Sequence, residues 1–135
     1  MTLYEECLEA LGDHKKVLSY ETTEKFHQEL ASKYPFTSWG RIQWELVKNH
    51  KSIEYAEDID DWLTENNIDD KEIILLWSFG DYPAIKTELD NALKVIDDVT
   101  AVGSDTFMYS PYGFVIEFFH DGDVTIGMAN NYRTD

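Results

Sequence analysis

The stretch TFMYSPYGFVIEFFHDGDVTIGMA, residues 106–129, decides the fold. Three apolar runs, Thr106–Ser110, Phe114–Phe119 and Val124–Ala129, are separated only by Pro111-Tyr112-Gly113 and by Asp121-Gly122. Connections this short join antiparallel neighbours, so the segment reads as a three-stranded meander. Upstream, Ile73 to Trp77 is a compact apolar run of the kind that forms a buried central strand. Trp39 to Val47 sets Ile42, Trp44 and Leu46 against Arg41, Gln43 and Glu45, a period of two that predicts another strand with one buried face. Gly40 at its start marks a bulge or a close backbone approach.

Helical spacing fills the rest. Thr2 and Glu5 have the separation of a capping box, Leu3, Cys7, Leu8 and Leu11 share a side, and Gly12 is placed to end the helix. Val17 to Tyr20 reads as a short strand or an extended lead-in. Thr22 and Thr23 are placed to cap a helix that carries Phe26, Leu30 and Tyr34 up to Pro35. Ile59, Trp62 and Leu63 predict a short amphipathic helix stopped by Asn66-Asn67. Pro83 is suited to the first turn of a further helix with Ile85, Leu89, Ala92, Leu93 and Ile96 on one face. Ser78-Phe79-Gly80-Asp81 is read as the connection into it, and Asn130 to Asp135 as a frayed tail. The expected architecture is α+β: residues 1–135 as a single domain, with several helices packed on a mixed, mainly antiparallel sheet.

Charge sets the expected partner. The chain has 27 Asp and Glu against 11 Lys and Arg, a net charge of −16 in 135 residues. So large an excess disfavours a nucleic-acid partner, which requires a basic stripe, and suits a cationic protein drawn in by long-range attraction. The same acidity also serves simple solubility. Disorder is excluded by composition, since 43% of residues are hydrophobic and 14% aromatic, far from the profile of acidic disordered segments. Met1 is followed by no secretory pattern, no apolar run reaches bilayer length, and the lone Cys7 suits a reducing compartment. The expectation is a cytoplasmic protein.

Sites of chemistry are scarce. His14, His27, His50 and His120 are too far apart in sequence for a recognisable zinc pattern, and Cys7 has no partner cysteine. His120-Asp121-Gly122-Asp123 invites a metal or catalytic reading, but Asp-Gly between two apolar runs is what a hairpin turn requires. Glu117 interrupts an apolar strand. It is open to three readings: a solvated side chain, an interface anchor, or a general acid or base of raised pKa. Phosphate loops, dinucleotide fingerprints and nucleophile elbows are missing, so no catalytic residue, metal or cofactor is expected.

Thr37-Ser-Trp-Gly-Arg-Ile42 with Trp44, Leu75-Leu76-Trp77-Ser78, Asp97-Asp98-Val-Thr-Ala-Val102, and Gly113-Phe-Val-Ile-Glu-Phe118 leading to Gly122 and Thr125-Ile-Gly127 together carry a likeness. The chain resembles the small bacterial immunity proteins of contact-dependent growth inhibition and related polymorphic toxin systems, over nearly its whole length. That resemblance implies a non-enzymatic cytoplasmic inhibitor that neutralises the C-terminal domain of one cognate toxin, commonly a nuclease, by stoichiometric binding. The contact residues come from charge instead. Glu54, Glu57, Asp58, Asp60, Asp61, Glu65, Asp69 and Asp70, with Asp97, Asp98, Asp121 and Asp123, are expected to steer a cationic partner. Tyr82, Tyr109 and Tyr112 are the expected aromatic anchors, with Glu117 beside them. Nucleic acid, membrane and small-molecule substrates are not expected. The rival readings are an acidic adaptor for another basic protein and a small hydrolase using Glu117 or His120.

Overall fold

Residues alternate strictly across the central strand, and that alternation organises the molecule. A computed structural model describes residues 1–78 and 81–131; Phe79 and Gly80 of the expected connection, and residues 132–135 of the expected tail, lie outside it. In order, the elements are α1 (Leu3–Leu11), β1 (Lys16–Val17), α2 (Tyr20–Lys33), β2 (Asn49–Ser52), α3 (Glu57–Glu65), β3 (Glu72–Trp77), β4 (Ile85–Glu88), α4 (Leu89–Lys94), α5 (Ile96–Thr100), β5 (Thr106–Tyr109), β6 (Val115–Phe118) and β7 (Val124–Met128). The strands form one seven-stranded sheet in the order β1-β4-β3-β5-β6-β7-β2. Every pairing is antiparallel.

The expected meander is present as β5–β6–β7, extended on both sides into a larger sheet. On β3, Ile73, Leu75 and Trp77 enter one core with α1, α3, α4 and α5, while Ile74 and Leu76 enter a second core with Leu30 and Tyr34 of α2. A strand buried on both faces must be apolar at every position, which is why Ile73 to Trp77 reads as a continuous run. The result is three layers. Four helices cover one face; α2 and the irregular segment 35–47 cover the other.

Local chemistry explains the helix ends. The Thr2 hydroxyl accepts from the Glu5 N–H at 3.1 Å and the Glu5 carboxylate accepts from the Thr2 N–H at 2.9 Å, closing the predicted box. Gly12 takes φ +65° with ψ −142°, a backbone conformation that side-chain-bearing residues rarely adopt, and ends α1. The second helix starts earlier than Thr22 and Thr23 suggest, because Ser19 caps it through the Thr22 N–H at 3.1 Å. Thr23 is instead buried, donating to the Ser19 carbonyl and accepting from the Ala84 N–H, both at 2.8 Å. The α3 reading holds as drawn, with Ile59, Trp62 and Leu63 buried and Asn66 at the C-cap.

Two further expectations fail. Residues 39–47 are not a strand: Phe36 and Ile42 make an isolated bridge, and Trp44–Leu46 is a single 3-10 turn. The turn shifts the phase of the alternation, so Val47 is buried and Leu46 exposed. Nor does Pro83 open a helix through Ile96. Ile85–Glu88 pairs with β3 and β1; a helix there would leave β1 without a partner and one edge of β3 open, and the helix begins only at Leu89 and breaks at Val95. Ile85 and Leu89 are both buried, four apart, in strand and helix alike, so spacing alone did not separate the two.

Candidate functional site

The four helices on one face of the sheet bury Cys7, Leu11, Ile59, Trp62, Leu63, Leu89, Ala92 and Val99 in a shared core. Each apolar stripe turns its polar side to solvent, and here the polar sides are almost entirely acidic. Glu5, Glu6 and Glu9 lie on α1; Glu57, Asp58, Asp60, Asp61 and Glu65 on α3; Asp90 on α4; Asp97 and Asp98 on α5. Lys94 is the one cation these helices carry. On the opposite face, α2 balances Glu21, Glu24 and Glu29 with Lys25 and Lys33. The charge carried by the helices is therefore directional, and a field of one sign on one face is what steers an approaching cation.

Within that layer the sequence candidates differ in role. Glu54, Glu57, Asp60, Asp61, Glu65, Asp69, Asp70, Asp97 and Asp98 are exposed. Asp58 is half-buried and accepts from the Tyr55 N–H at 3.0 Å, which fixes the start of α3. Asp60 pairs with Lys71 at 3.2 Å, and Asp70 accepts from the Glu72 N–H at 2.9 Å. Packing of α1 on α5 sets Glu6, Glu9 and Asp98 around one depression. The α1 carboxylates were missed in the sequence because they lie some ninety residues from α5, although the α1 periodicity already put them on its polar side.

The aromatic candidates divide sharply. Tyr112 is exposed. Tyr82 is half-buried and stacks on Tyr4 with ring centres 5.7 Å apart. Tyr109 is fully buried, its hydroxyl donating to Glu29 Oε2 at 2.6 Å, so it is no surface anchor. Burial first, then the Glu29 carboxylate, pushes its pKa up. Among the described residues, three exposed aromatics were not singled out in the sequence: Tyr20, whose hydroxyl donates to Asp81, Tyr55, 62% exposed beside the acidic α3, and Trp39, 66% exposed in the loop before Arg41.

Glu117 also leaves the list of surface contacts. It lies on the face covered by segment 35–47 and is 1% exposed. One carboxylate oxygen accepts from the Ile42 N–H at 2.8 Å; the other accepts from the Trp44 indole at 2.9 Å and faces Arg41 Nε at 3.3 Å. Burial pushes its pKa up, opposed by these donors, the Ile42 N–H foremost. Every neighbour is a donor, so the socket fits the ionised form. Glu117 thus pins a loop whose backbone pairs only across the single Phe36–Ile42 bridge, and that loop displays Trp39. This side chain is neither solvated nor at the surface, against the first two readings; burial and a raised pKa match the premise of the third, but both its oxygens are engaged by Ile42, Trp44 and Arg41.

At the β6–β7 turn, Gly122 takes φ +100° and the Asp121 carboxylate accepts from the Asp123 N–H at 2.9 Å, as a tight hairpin requires. Asp123 reaches Arg41 at 3.3 Å, and Arg41 lies 4.2 Å above the Phe119 ring. His120 is held from behind by Asp105, a carboxylate 3% exposed that accepts from the His120 N–H at 2.8 Å and stands 3.0 Å from Nδ1. His120, Phe118 and Phe119 line a cavity of about 580 Å³ whose far wall is Ile96 and Thr100 of α5. Among the described residues, no group of three His, Cys, Asp or Glu side chains is placed to hold a metal ion. Cys7 is buried, and burial pushes its thiol up to about 11, far from a reactive thiolate.

Among the described residues no helix is long and apolar enough to cross a membrane. Residues 1–127 match the family described as CdiI immunity protein, EcoliA0-like. A stretch of 35 residues, 26% of this chain, is 49% identical to an uncharacterized protein, YqzI, of Bacillus subtilis (strain 168), covering 67% of that protein.

Proposed function

The chain belongs to the EcoliA0-like CdiI immunity proteins, and from that premise we propose that it neutralises the C-terminal domain of one cognate toxin by one-to-one binding through its acidic helical face. An immunity protein works by occupancy, not turnover, so the absence of a nucleophile, metal set or cofactor loop in the sequence is what the role requires. The observation that carries the choice of surface is the directional charge: α1, α3, α4 and α5 present eleven carboxylates and one lysine.

The partner of such a face is cationic. A nuclease domain meets that description because its phosphate-binding cleft is basic, and a carboxylate-bearing face placed over the cleft competes with the nucleic acid for the same cations. Glu57, Asp60, Asp61 and Glu65 supply steering, with Glu54, Asp69, Asp70, Asp97 and Asp98 around them. Tyr55, exposed at the head of α3, supplies an anchor, since binding energy concentrates in aromatic side chains more than in rim charges. The complex forms in the bacterial cytoplasm, where an incoming toxin acts, and needs no cofactor, small-molecule substrate, nucleic acid or membrane.

The test is co-expression with the toxin C-terminal domain encoded beside the gene. Cells making both should grow, and the two purified chains should elute as a one-to-one complex. A folded chain that neither protects nor co-elutes would refute the assignment.

A further inference from the structure

Trp39 stands at the tip of a short turn that is braced by its own backbone and from below. The Thr37 N–H donates to the Arg41 carbonyl at 2.7 Å, the Gly40 N–H to the Thr37 carbonyl at 3.2 Å, and the Arg41 N–H to the Thr37 hydroxyl at 3.1 Å. Beneath the turn, Phe36 packs edge-on against Phe107 with ring centres 5.8 Å apart, and the Glu117 carboxylate grips Ile42, Trp44 and Arg41. A cavity of about 360 Å³ opens beside the Trp39 ring, and the turn Trp44–Leu46 brings Glu45 into the same lining. Glu45 is exposed and, among the described residues, takes part in no ion pair. Arg41 also lines the cavity, but two carboxylates already match it, Glu117 and Asp123, each at 3.3 Å. Three carboxylates against one guanidinium leave the groove with an excess of negative charge.

An open aromatic face and an unpaired carboxylate in one groove complement a side chain that carries a cation on an apolar stem. We propose that the groove between Trp39 and Glu45 receives one arginine or lysine side chain of the toxin, its cation over the indole and against the Glu45 carboxylate. The braced turn loses little freedom on binding, which favours a tight contact. The loop lies across the sheet from the acidic helices, yet both meet at the β6–β7 hairpin. Arg41 lies 4.2 Å above the Phe119 ring, and Phe119 shares a cavity with Ile96 and Thr100 of α5, so a partner seated at this end of the sheet can touch both. The proposal rests on the immunity reading and deepens it. The helices steer the approach, whereas this short-range contact governs dissociation.

The experiment uses the full chain and the toxin C-terminal domain encoded beside it. Trp39→Leu keeps an exposed apolar side chain but removes the π face; it should raise Kd by ~10-fold or more, mainly through faster dissociation. Trp39→Phe keeps a weaker face and should lose less. Glu45→Gln keeps the shape and should raise Kd by ~3-fold or more at ~0.1 M salt, and by less at ~1 M. An alanine scan of the toxin's Arg and Lys residues should find one whose loss leaves Trp39→Leu changing Kd by less than ~3-fold, as a coupled pair demands. If wild type binds the toxin and Trp39→Leu, folded by circular dichroism, binds equally well, the groove proposal is overturned and the immunity reading stands. A loss on Trp39→Leu that couples to no toxin cation would make Trp39 an apolar plug and overturn it too. So would a wild-type dimer that Trp39→Leu dissolves, which would assign the groove to a second copy of the chain. If wild type itself does not bind, the immunity reading fails first and the groove proposal falls with it.

Discussion

Replacing Glu117 by glutamine tests the pinning of the 35–47 segment. The two carboxylate oxygens meet the Ile42 N–H at 2.8 Å, the Trp44 indole at 2.9 Å and Arg41 Nε at 3.3 Å. Glutamine keeps the shape and one acceptor oxygen, but turns an NH2 toward donors on the other side. One buried donor then loses its acceptor, at a cost of about 1–3 kcal/mol, and the new amide hydrogens face a donor at a similar cost. Arg41 is a quarter exposed and keeps Asp123 at 3.3 Å, so water limits its share to under ~1 kcal/mol. The expected loss is about 2–6 kcal/mol, large against a domain stability of about 5–15 kcal/mol. With a urea slope of about 2 kcal/mol/M, the unfolding midpoint should fall by about 1–3 M. Arg41→Ala should lower it by less than half as much. A Glu117→Gln midpoint within ~0.3 M of wild type would refute the view that this carboxylate holds the loop.

Two further outcomes follow from particular contacts. At Gly127 a Cβ would stand 2.6 Å from Trp44 Cζ3 and 3.0 Å from the Asn49 carbonyl; Gly127→Ala should therefore cost about 1–3 kcal/mol in urea unfolding and alter the near-UV spectrum of Trp44. Burial lowers the pKa of His27, outweighing Glu24, so on acidification the unfolded chain binds its proton first. The stability that depends on neutral His27 is lost as pH falls through ~6.5. Thermal melts from pH 7.5 to 5.5 should show a shallower decline for His27→Gln than for wild type, and identical slopes would contradict the burial argument.

Much of the fold could be read from local pattern because local chemistry decides it. The Thr2–Glu5 box, the Asp121-Gly122 turn and the all-apolar run at Ile73 each have a physical cause confined to a few residues. The errors came where a distant partner overrides the pattern. Trp39 to Val47 alternates like a strand, yet its Ile42 N–H bonds to a side chain seventy-five positions away. Ile85 to Glu88 looks helical, yet the edge of β3 recruits it. The surface follows the same rule. Carboxylates on α3 announce themselves as a run, whereas the joining of Asp98 with Glu6 and Glu9 requires the packing of α1 on α5. Tyr109 and Glu117 looked available because a strand shows two faces in sequence, and nothing local says that α2 and segment 35–47 cover the second one.

The central claim is that the acidic helical face recruits a cationic toxin, and association kinetics test it most directly. Stopped-flow binding of the toxin C-terminal domain should be compared for wild type and for a variant with Glu57 and Glu65 as Gln and Asp60 and Asp61 as Asn; Asp58 is retained because it accepts from the Tyr55 N–H ahead of α3. At ~0.1 M salt, where the Debye length is about 10 Å, wild type should associate roughly 10-fold faster or more. The two rates should converge at ~1 M salt, where that length is about 3 Å, while dissociation changes by less than ~3-fold throughout. Equal association rates at every salt concentration would contradict the claim and leave the acidic helices as a solubilising surface.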